Sequence, residues 1–136
     1  MMKKLLVLSI ICAFLLSCTN NNKKDVTDNK IALKTDITNV VKLTDTLVIY
    51  ESTCRGCKYE TTTSFGISDS MNMIELASIV TTDDNPTDMN GGNISKDLIL
   101  VPVKTGITNI KLYKFLTLDK TAADSAHFTS YKIEVK

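Results

Sequence analysis

The C-terminal segment of the chain carries a clean two-residue alternation of apolar and charged side chains. One set is Tyr131, Ile133 and Val135, and the other is Lys132, Glu134 and Lys136. Because successive side chains of a β-strand point to opposite faces, this alternation predicts a strand over 128–135 with one face buried and the other in water. Such a half-buried strand is typical of an antiparallel sheet.

The rest of the chain after residue 30 also predicts strands, because it is rich in Thr, Val and Ile and poor in helical periodicity. The predicted segments are 31–42, 47–50, 58–65, 71–81, 98–103 and 107–115. Segment 71–81 fits a strand or a short helix, and its β-rich neighbours favour the strand. Pro102 lacks an amide donor, so we expect the end of its strand to lie at an edge or bulge.

Turn-forming residues separate these segments. Residues 83–93 form a loop that contains Asn-Pro and Asn90-Gly91-Gly92-Asn93, and 104–106 form a tight turn. About seven short strands with turn signals between them predict an all-β protein, an antiparallel β-sandwich.

The start of the chain has the order of an export signal. Lys3 and Lys4 precede an apolar run over 5–16, and the segment closes with Leu15-Leu16-Ser17-Cys18. A run of about a dozen apolar residues is shorter than the roughly 20 of a membrane-spanning helix, so it predicts a signal peptide. The closing motif resembles the lipobox of bacterial lipoproteins. That resemblance implies cleavage before Cys18 and lipid on Cys18; a plain secretory signal, cleaved elsewhere, is the alternative.

This resemblance divides the chain into three parts. Residues 1–17 are the lipoprotein signal peptide, 18–30 a tether that carries the lipid, and 31–136 the β-sandwich domain. The tether is polar, rich in Asn and Lys, and without aromatic side chains, so we expect it to be flexible. Thr19 rather than Asp follows Cys18, which resembles sorting to the outer membrane. We therefore expect a lipid-anchored protein of the bacterial cell envelope.

Charge excludes one class of partner. The chain has 16 basic and 15 acidic residues, and loss of Lys3 and Lys4 with the signal leaves 14 basic residues. Near-neutral charge with interspersed signs gives no electrostatic case for nucleic acid. The domain of about 105 residues has room for one core.

Two cysteines remain after Cys12 leaves with the signal and Cys18 takes lipid, and they stand in Cys54-Arg55-Gly56-Cys57. An exported protein sits where disulfides persist. The pair would be a structural disulfide that pins a tight loop, a thioredoxin-like redox site, or a recognition loop stiffened by the disulfide. The redox interpretation is supported by the neighbouring cations Arg55 and Lys58, which would favour a thiolate. It also requires a helix starting at Cys54, and residues 59–63 are poor helix formers.

Other sites have little support in the sequence. Two sulfurs and the distant His127, the single histidine, do not make a metal site. A catalytic triad and phosphate-binding glycine motifs have no support either. We therefore expect no enzymatic activity, metal or cofactor.

The order of three loops and their flanking strands carries a second resemblance. The strand at 45–50 leads into 52–60, the glycine-rich 90–93 precedes a strand, and 105–113 reads as a turn followed by a strand. This order resembles the chagasin family, immunoglobulin-like sandwich inhibitors of papain-like cysteine proteases. Of the family's first-loop motif, Asn-Pro-Thr-Thr-Gly-Tyr, only Gly56 matches. The family's final Arg-Pro-Trp loop is replaced here by 114–119.

The resemblance implies an immunoglobulin-like fold and a binding module that acts through loops at 52–59, 83–93 and 114–126. The partner would be a protein, in the most specific version a papain-like cysteine protease whose cleft the loops fill without chemistry. The predicted contact residues are Arg55, Gly56, Tyr59, Asn90, Gly91, Gly92, Lys114, Phe115 and Leu116. The aromatic residues among them would be exposed anchors or core residues. Alternatives are a thiol-disulfide oxidoreductase using Cys54 and Cys57, and a structural envelope lipoprotein.

Overall fold

The computed structural model describes residues 30–120, 124 and 127–136. The predicted signal peptide, Cys18 and nearly all of the tether lie outside the described residues, as does part of the predicted loop at 114–126. The strands are β1 (Lys30–Ala32), β2 (Thr38–Val41), β3 (Thr46–Cys54), β4 (Ser64–Asp69), β5 (Ile74–Thr82), β6 (Asn93–Pro102), β7 (Gly106–Phe115) and β8 (Phe128–Val135). Across the part of the chain that is described, no helix has the length and apolar character needed to cross a membrane.

The strands form two four-stranded sheets, in the orders β1-β3-β6-β5 and β2-β8-β7-β4. This arrangement confirms the predicted all-β, immunoglobulin-like sandwich, with eight strands in the described residues where about seven were expected. The pairings β3–β6, β5–β6, β4–β7 and β7–β8 are antiparallel. The short N-terminal strands β1 and β2 instead pair in parallel, with β3 and β8 respectively.

The N-terminal segment 31–42, predicted as one strand, is two strands that belong to different sheets. The buried side chain of Asn39 holds the crossing between them. Its Oδ1 accepts the N–H of Lys34 at 2.9 Å, and its Nδ2 donates to the carbonyls of Lys34 at 2.9 Å and of Lys132 at 3.0 Å. The prediction of a single strand was wrong because these bonds stabilise a change of sheet that local β propensity does not report.

The core lies between the sheets and is built mainly from alternate residues of β2, β6, β7 and β8 and from the buried start of β3. Tyr131, Ile133 and Val135 of β8 are buried, as their alternation predicts. Opposite them, Leu47, Ile49, Leu98 and Leu100 of the first sheet are also buried in the same cluster. Complete burial of such side chains contributes roughly 1.5–3 kcal/mol each, so the inner faces supply most of the stabilisation.

One further strand prediction needs correction. Segment 58–65 is a turn up to residue 63, where Thr63 donates its N–H to Tyr59 O at 3.0 Å, and β4 begins only at Ser64. Pro102 ends β6, which is a central strand, but it lies beyond the first residue of β3, so this strand end is an edge on that side, as predicted. Its missing amide is tolerated because β3 pairs Leu47 with Leu100, so Pro102 extends past the start of its neighbour. Segment 71–81 is largely strand β5, as favoured.

The turn between β4 and β5 is organised by one carboxylate. Asp69 Oδ1 accepts the Met71 N–H at 3.0 Å and the Thr108 hydroxyl at 2.5 Å, and its Oδ2 accepts the N–H groups of Met73 at 2.7 Å and Ile74 at 2.9 Å. Partial burial alone would raise the pKa of Asp69, but these four donors outweigh it and lower the pKa below its ordinary value.

Candidate functional site

Strand register brings the three predicted loops to one end of the sandwich. The last residue of β3, Cys54, lies opposite Asn93, the first residue of β6. The last residue of β7, Phe115, lies opposite Ser64, the first residue of β4. We call the residues between these strands the first loop (55–63), the second loop (83–92) and the third loop (116–127).

The first loop opens with the disulfide. Cys54 and Cys57 are joined in the structure, with their Cα atoms 5.6 Å apart, and both residues are exposed. Gly56 between them has a φ of 75°, in the left-handed region that favours glycine. Its N–H donates to the Glu60 carboxylate at 2.5 Å, which closes the turn.

The surroundings of the cysteine pair bear on the redox alternative. Cys54 is the last residue of strand β3, and the residues that follow form turns. A thioredoxin-like site needs its first cysteine at a helix N-terminus, where the unpaired N–H groups stabilise the thiolate. The first loop lacks this helix, so the arrangement fits a stapled loop better than a thioredoxin-like centre.

Arg55 ties the first loop to the second. Its backbone N–H donates to Gly92 O at 2.9 Å. Its guanidinium donates to the carbonyls of Pro86 at 3.1 Å and Met89 at 3.0 Å, and lies 3.1 Å from the Asp83 carboxylate. Only 21% of the side chain is exposed. Arg55 was predicted to contact a partner. In the structure its guanidinium N–H groups point to the second loop instead, because that loop offers carbonyls and a carboxylate.

The second loop is shaped by Asn85 and its two glycines. The side chain of Asn85 donates to Asp83 at 2.6 Å and to Asn93 O at 2.7 Å. These hydrogen bonds from Asn85, together with the charge of Arg55, lower the pKa of Asp83. Gly92 has a φ of 104°, and a Cβ there would come within 2.4 Å of the Asn85 amide oxygen. The conformation of this loop therefore requires glycine.

The third loop begins later than the sequence predicts. Lys114 and Phe115 belong to strand β7 rather than to a loop. Phe115 is only 8% exposed, because its ring packs over Gly66 and stacks on Tyr113 with centroids 5.9 Å apart. It is therefore a packed residue of a strand, and the prediction that it lies on a loop was wrong.

Lys114 joins the two sheets below the loops. Its ammonium donates to Ser52 O at 2.6 Å and lies 3.4 Å from the Glu51 carboxylate. Glu51, Lys114 and the exposed His127 line an open hollow of about 350 Å³ beside the third loop. Among the described residues, no three His, Cys, Asp or Glu side chains are grouped so that they could hold a metal ion.

Each loop presents an exposed apolar side chain. Tyr59 lies on the first loop, Met89 on the second, and Leu116 and Leu118 on the third. Thr62 of the first loop donates to Leu116 O at 2.5 Å, which fixes the start of the third loop beside the first. Sequence analysis identified Tyr59 and Leu116 but did not assign Met89 or Leu118 to the site, since single apolar residues in a loop carry no periodic signal.

The fold and the loop cluster define an immunoglobulin-like β-sandwich with a loop surface at one end. No family model matches the sequence, and no curated protein sequence is similar to it. Solved structures do share the fold. The cysteine protease inhibitor EhICP2 from Entamoeba histolytica superposes with a TM-score of 0.57 at 17% sequence identity, over 79% of this chain and 96% of EhICP2. The solution structure of amebosin superposes with a TM-score of 0.55 at 14% identity, with the same coverage of both chains.

Proposed function

We propose that this protein is a binding module that inhibits a papain-like cysteine protease through its three clustered loops. The observation that carries the proposal is the convergence of these loops at one end of the sandwich. The likeness of the fold to a cysteine protease inhibitor supports it, as does the order of loops in the sequence. The inhibitor would fill the protease cleft and exclude substrate.

The contacts within the loop cluster support this mode of action. Arg55 joins the first loop to the second, and Thr62 joins the first to the third. Loops that are held before binding lose less conformational entropy when they bind, so more of the contact energy appears as affinity. The predicted contact residues that are exposed are Gly56, Tyr59, Asn90, Gly92, Lys114 and Leu116, with Met89 and Leu118 added, whereas Gly91 is half-buried.

Titration of the protein against papain-like proteases tests the proposal. We expect inhibition that competes with substrate. Leu116 is 44% exposed on the third loop and Ile107 is 59% exposed at the opposite end of β7. Leu116→Ala should weaken inhibition roughly tenfold, as loss of a partly buried interface anchor does, whereas Ile107→Ala should leave it unchanged. If no papain-like protease is inhibited, the proposal fails.

We also propose that the protein is held at a bacterial membrane by lipid on Cys18. Lys30 lies opposite Thr46, the first residue of β3, whereas Cys54 ends that strand roughly 26 Å away at the loop end. The chain therefore enters the domain at the end remote from the loops, and Cys18 precedes Lys30 by 12 residues. An anchor at Cys18 would therefore attach at the end of the domain opposite the loops and leave the loops accessible.

Incorporation of labelled fatty acid in a bacterial host tests the anchor. We expect the wild-type chain to carry the label and to be found in the membrane fraction. The Cys18→Ser chain should show neither the label nor this location. The control is Cys12→Ser, which lies in the predicted signal and should still be labelled. Equal labelling of Cys18→Ser and the wild type would show that the attachment site is elsewhere.

A further inference from the structure

We propose that the Cys54–Cys57 disulfide reacts with the catalytic thiolate of the target protease, so that inhibitor and protease become joined by a reversible mixed disulfide. The inference rests on the proposed function, because it needs the loop surface to enter the cleft of a cysteine protease. It adds a covalent step to a mode of inhibition that otherwise depends on shape alone.

The position of the disulfide in the loop cluster is the first observation. Cys54 and Cys57 are both exposed, and Gly56 between them has no side chain to shield the bridge. A Cβ placed on Gly56 would have the backbone of Gly91 as its nearest neighbour, at 3.8 Å. The bridge therefore lies where the first loop meets the glycine-rich second loop, within the surface proposed to enter the cleft.

The fixed position of the first loop is the second observation. The N–H of Arg55, the residue after Cys54, donates to Gly92 O, and its guanidinium contacts the second loop at Pro86 O and Met89 O. These bonds hold one side of the bridge against the body of the cluster. A bound protease thiolate would thus meet the disulfide in a defined orientation, which raises the rate of reaction over that of a free thiol.

The local charges distinguish the two sulfurs. Arg55 shares its charge with Asp83 at 3.1 Å. Lys58 directly follows Cys57 and is exposed, with its ammonium 5.4 Å from the centre of the Tyr59 ring. A neighbouring cation stabilises a thiolate, and the sulfur that leaves as the more stable thiolate leaves faster. We therefore place the attack on Cys54 and the leaving thiolate on Cys57.

The step balances without an added oxidant. The protease thiolate gives its electron pair to Cys54 Sγ, a new S–S bond forms between the proteins, and the Cys54–Cys57 bond breaks with its electrons on Cys57. One disulfide is consumed and one is formed. The Cys57 thiolate, three residues away in the chain, attacks the mixed disulfide in reverse and releases the protease thiolate, so the adduct is reversible.

Capture of this adduct on papain is the test. The purified protein with its disulfide intact is mixed with an equal amount of papain from which the activating reductant has been removed, and the reaction is stopped with N-ethylmaleimide. For the mature protein with lipid on Cys18, we expect a species with the mass of both chains plus one maleimide, lost on treatment with dithiothreitol. Peptide mapping should place the maleimide on Cys57 and the link to papain on Cys54.

Three controls define the chemistry. Papain whose active-site thiol has been alkylated beforehand should give no adduct, and neither should the double variant Cys54→Ser/Cys57→Ser. Glutathione at the same concentration of thiolate should react roughly 100-fold more slowly than papain, since it lacks the orientation that binding supplies. The wild-type adduct is measured independently of the double variant, so the test does not depend on the folding of that variant.

The outcomes separate this inference from the proposed function. An adduct linked at Cys54 supports both. Inhibition by the wild-type protein without any adduct overturns the covalent step and leaves steric inhibition standing, as does an adduct that glutathione forms equally fast. Absence of both inhibition and adduct with every papain-like protease overturns the proposed function and the covalent step with it.

Discussion

Asp69→Asn should destabilise the domain by removing two hydrogen bonds from the β4–β5 turn. Each carboxylate oxygen of Asp69 accepts two hydrogen bonds. Oδ1 accepts those of Met71 and Thr108, and Oδ2 accepts those of Met73 and Ile74. An asparagine has a single oxygen, and its amide nitrogen would face two donors. Hydrogen bonds to a charged group contribute about 1.5–3 kcal/mol each. Taking the lower end for this partly exposed site, we expect a loss of about 3 kcal/mol, a large share of the roughly 5–15 kcal/mol of a domain.

Urea denaturation followed by circular dichroism measures this loss. The control is Asp84→Asn, an exposed carboxylate of the second loop, for which we expect a change within about 0.5 kcal/mol. The Asp69 turn lies at the end of β4 remote from the loops. Inhibition per folded molecule should therefore be the same for Asp69→Asn and the wild type. A loss below about 0.5 kcal/mol for Asp69→Asn would refute the reasoning, because it would mean that the carboxylate does not hold the turn.

Further predictions concern acid, the core and the loop cluster. The pKa of Asp69 is lowered in the folded state, so its contribution to stability is fully present when the pH is above the ordinary pKa of about 4. This contribution is lost as the pH falls through the lowered pKa. Free energies of unfolding measured at decreasing pH should show the loss in the wild type and not in Asp69→Asn. Thr53 is buried and its hydroxyl makes no hydrogen bond within the described residues, so Thr53→Val should raise the free energy of unfolding by about 1 kcal/mol, measured with urea. Asn39→Ala should lower it by about 2–3 kcal/mol, since three backbone groups lose their partner. Arg55→Ala should speed amide hydrogen exchange in the second loop and weaken inhibition roughly tenfold, because the loop loses its contacts with the guanidinium. The control is Lys58→Ala, which removes a cation that contacts Tyr59 instead and should leave exchange in the second loop unchanged.

The loop cluster also explains why similarity of sequence to known inhibitors is low while the fold is shared. The sandwich is specified by alternation of apolar residues, which many sequences satisfy. The loops are held by side-chain contacts that this alternation does not specify, such as Arg55 with Asp83 and Thr62 with Leu116. The family resemblance was therefore visible in the order of strands and loops and not in the loop motifs themselves.

Predictions succeeded where one strand carries its own signal. The alternation in β8 specified which of its faces is buried, and the glycines and Asn-Pro of 83–93 marked the loop between β5 and β6. The short spacing of Cys54 and Cys57 likewise reported a loop that a disulfide can close. Each of these features depends on residues that are neighbours in the sequence, and local periodicity and turn chemistry describe such neighbours well.

Tertiary structure decided the features that join distant parts of the chain. Phe115 is buried because Gly66, on the paired strand β4, leaves room for its ring. Arg55 faces inward because carbonyls and a carboxylate some 30 residues away lie within reach. The sequence by itself determined an all-β sandwich and the loop at 83–92, while several other strand ends differed from the prediction. Only the pairing of strands decided which loops meet, because register across a sheet depends on partners that no local pattern identifies.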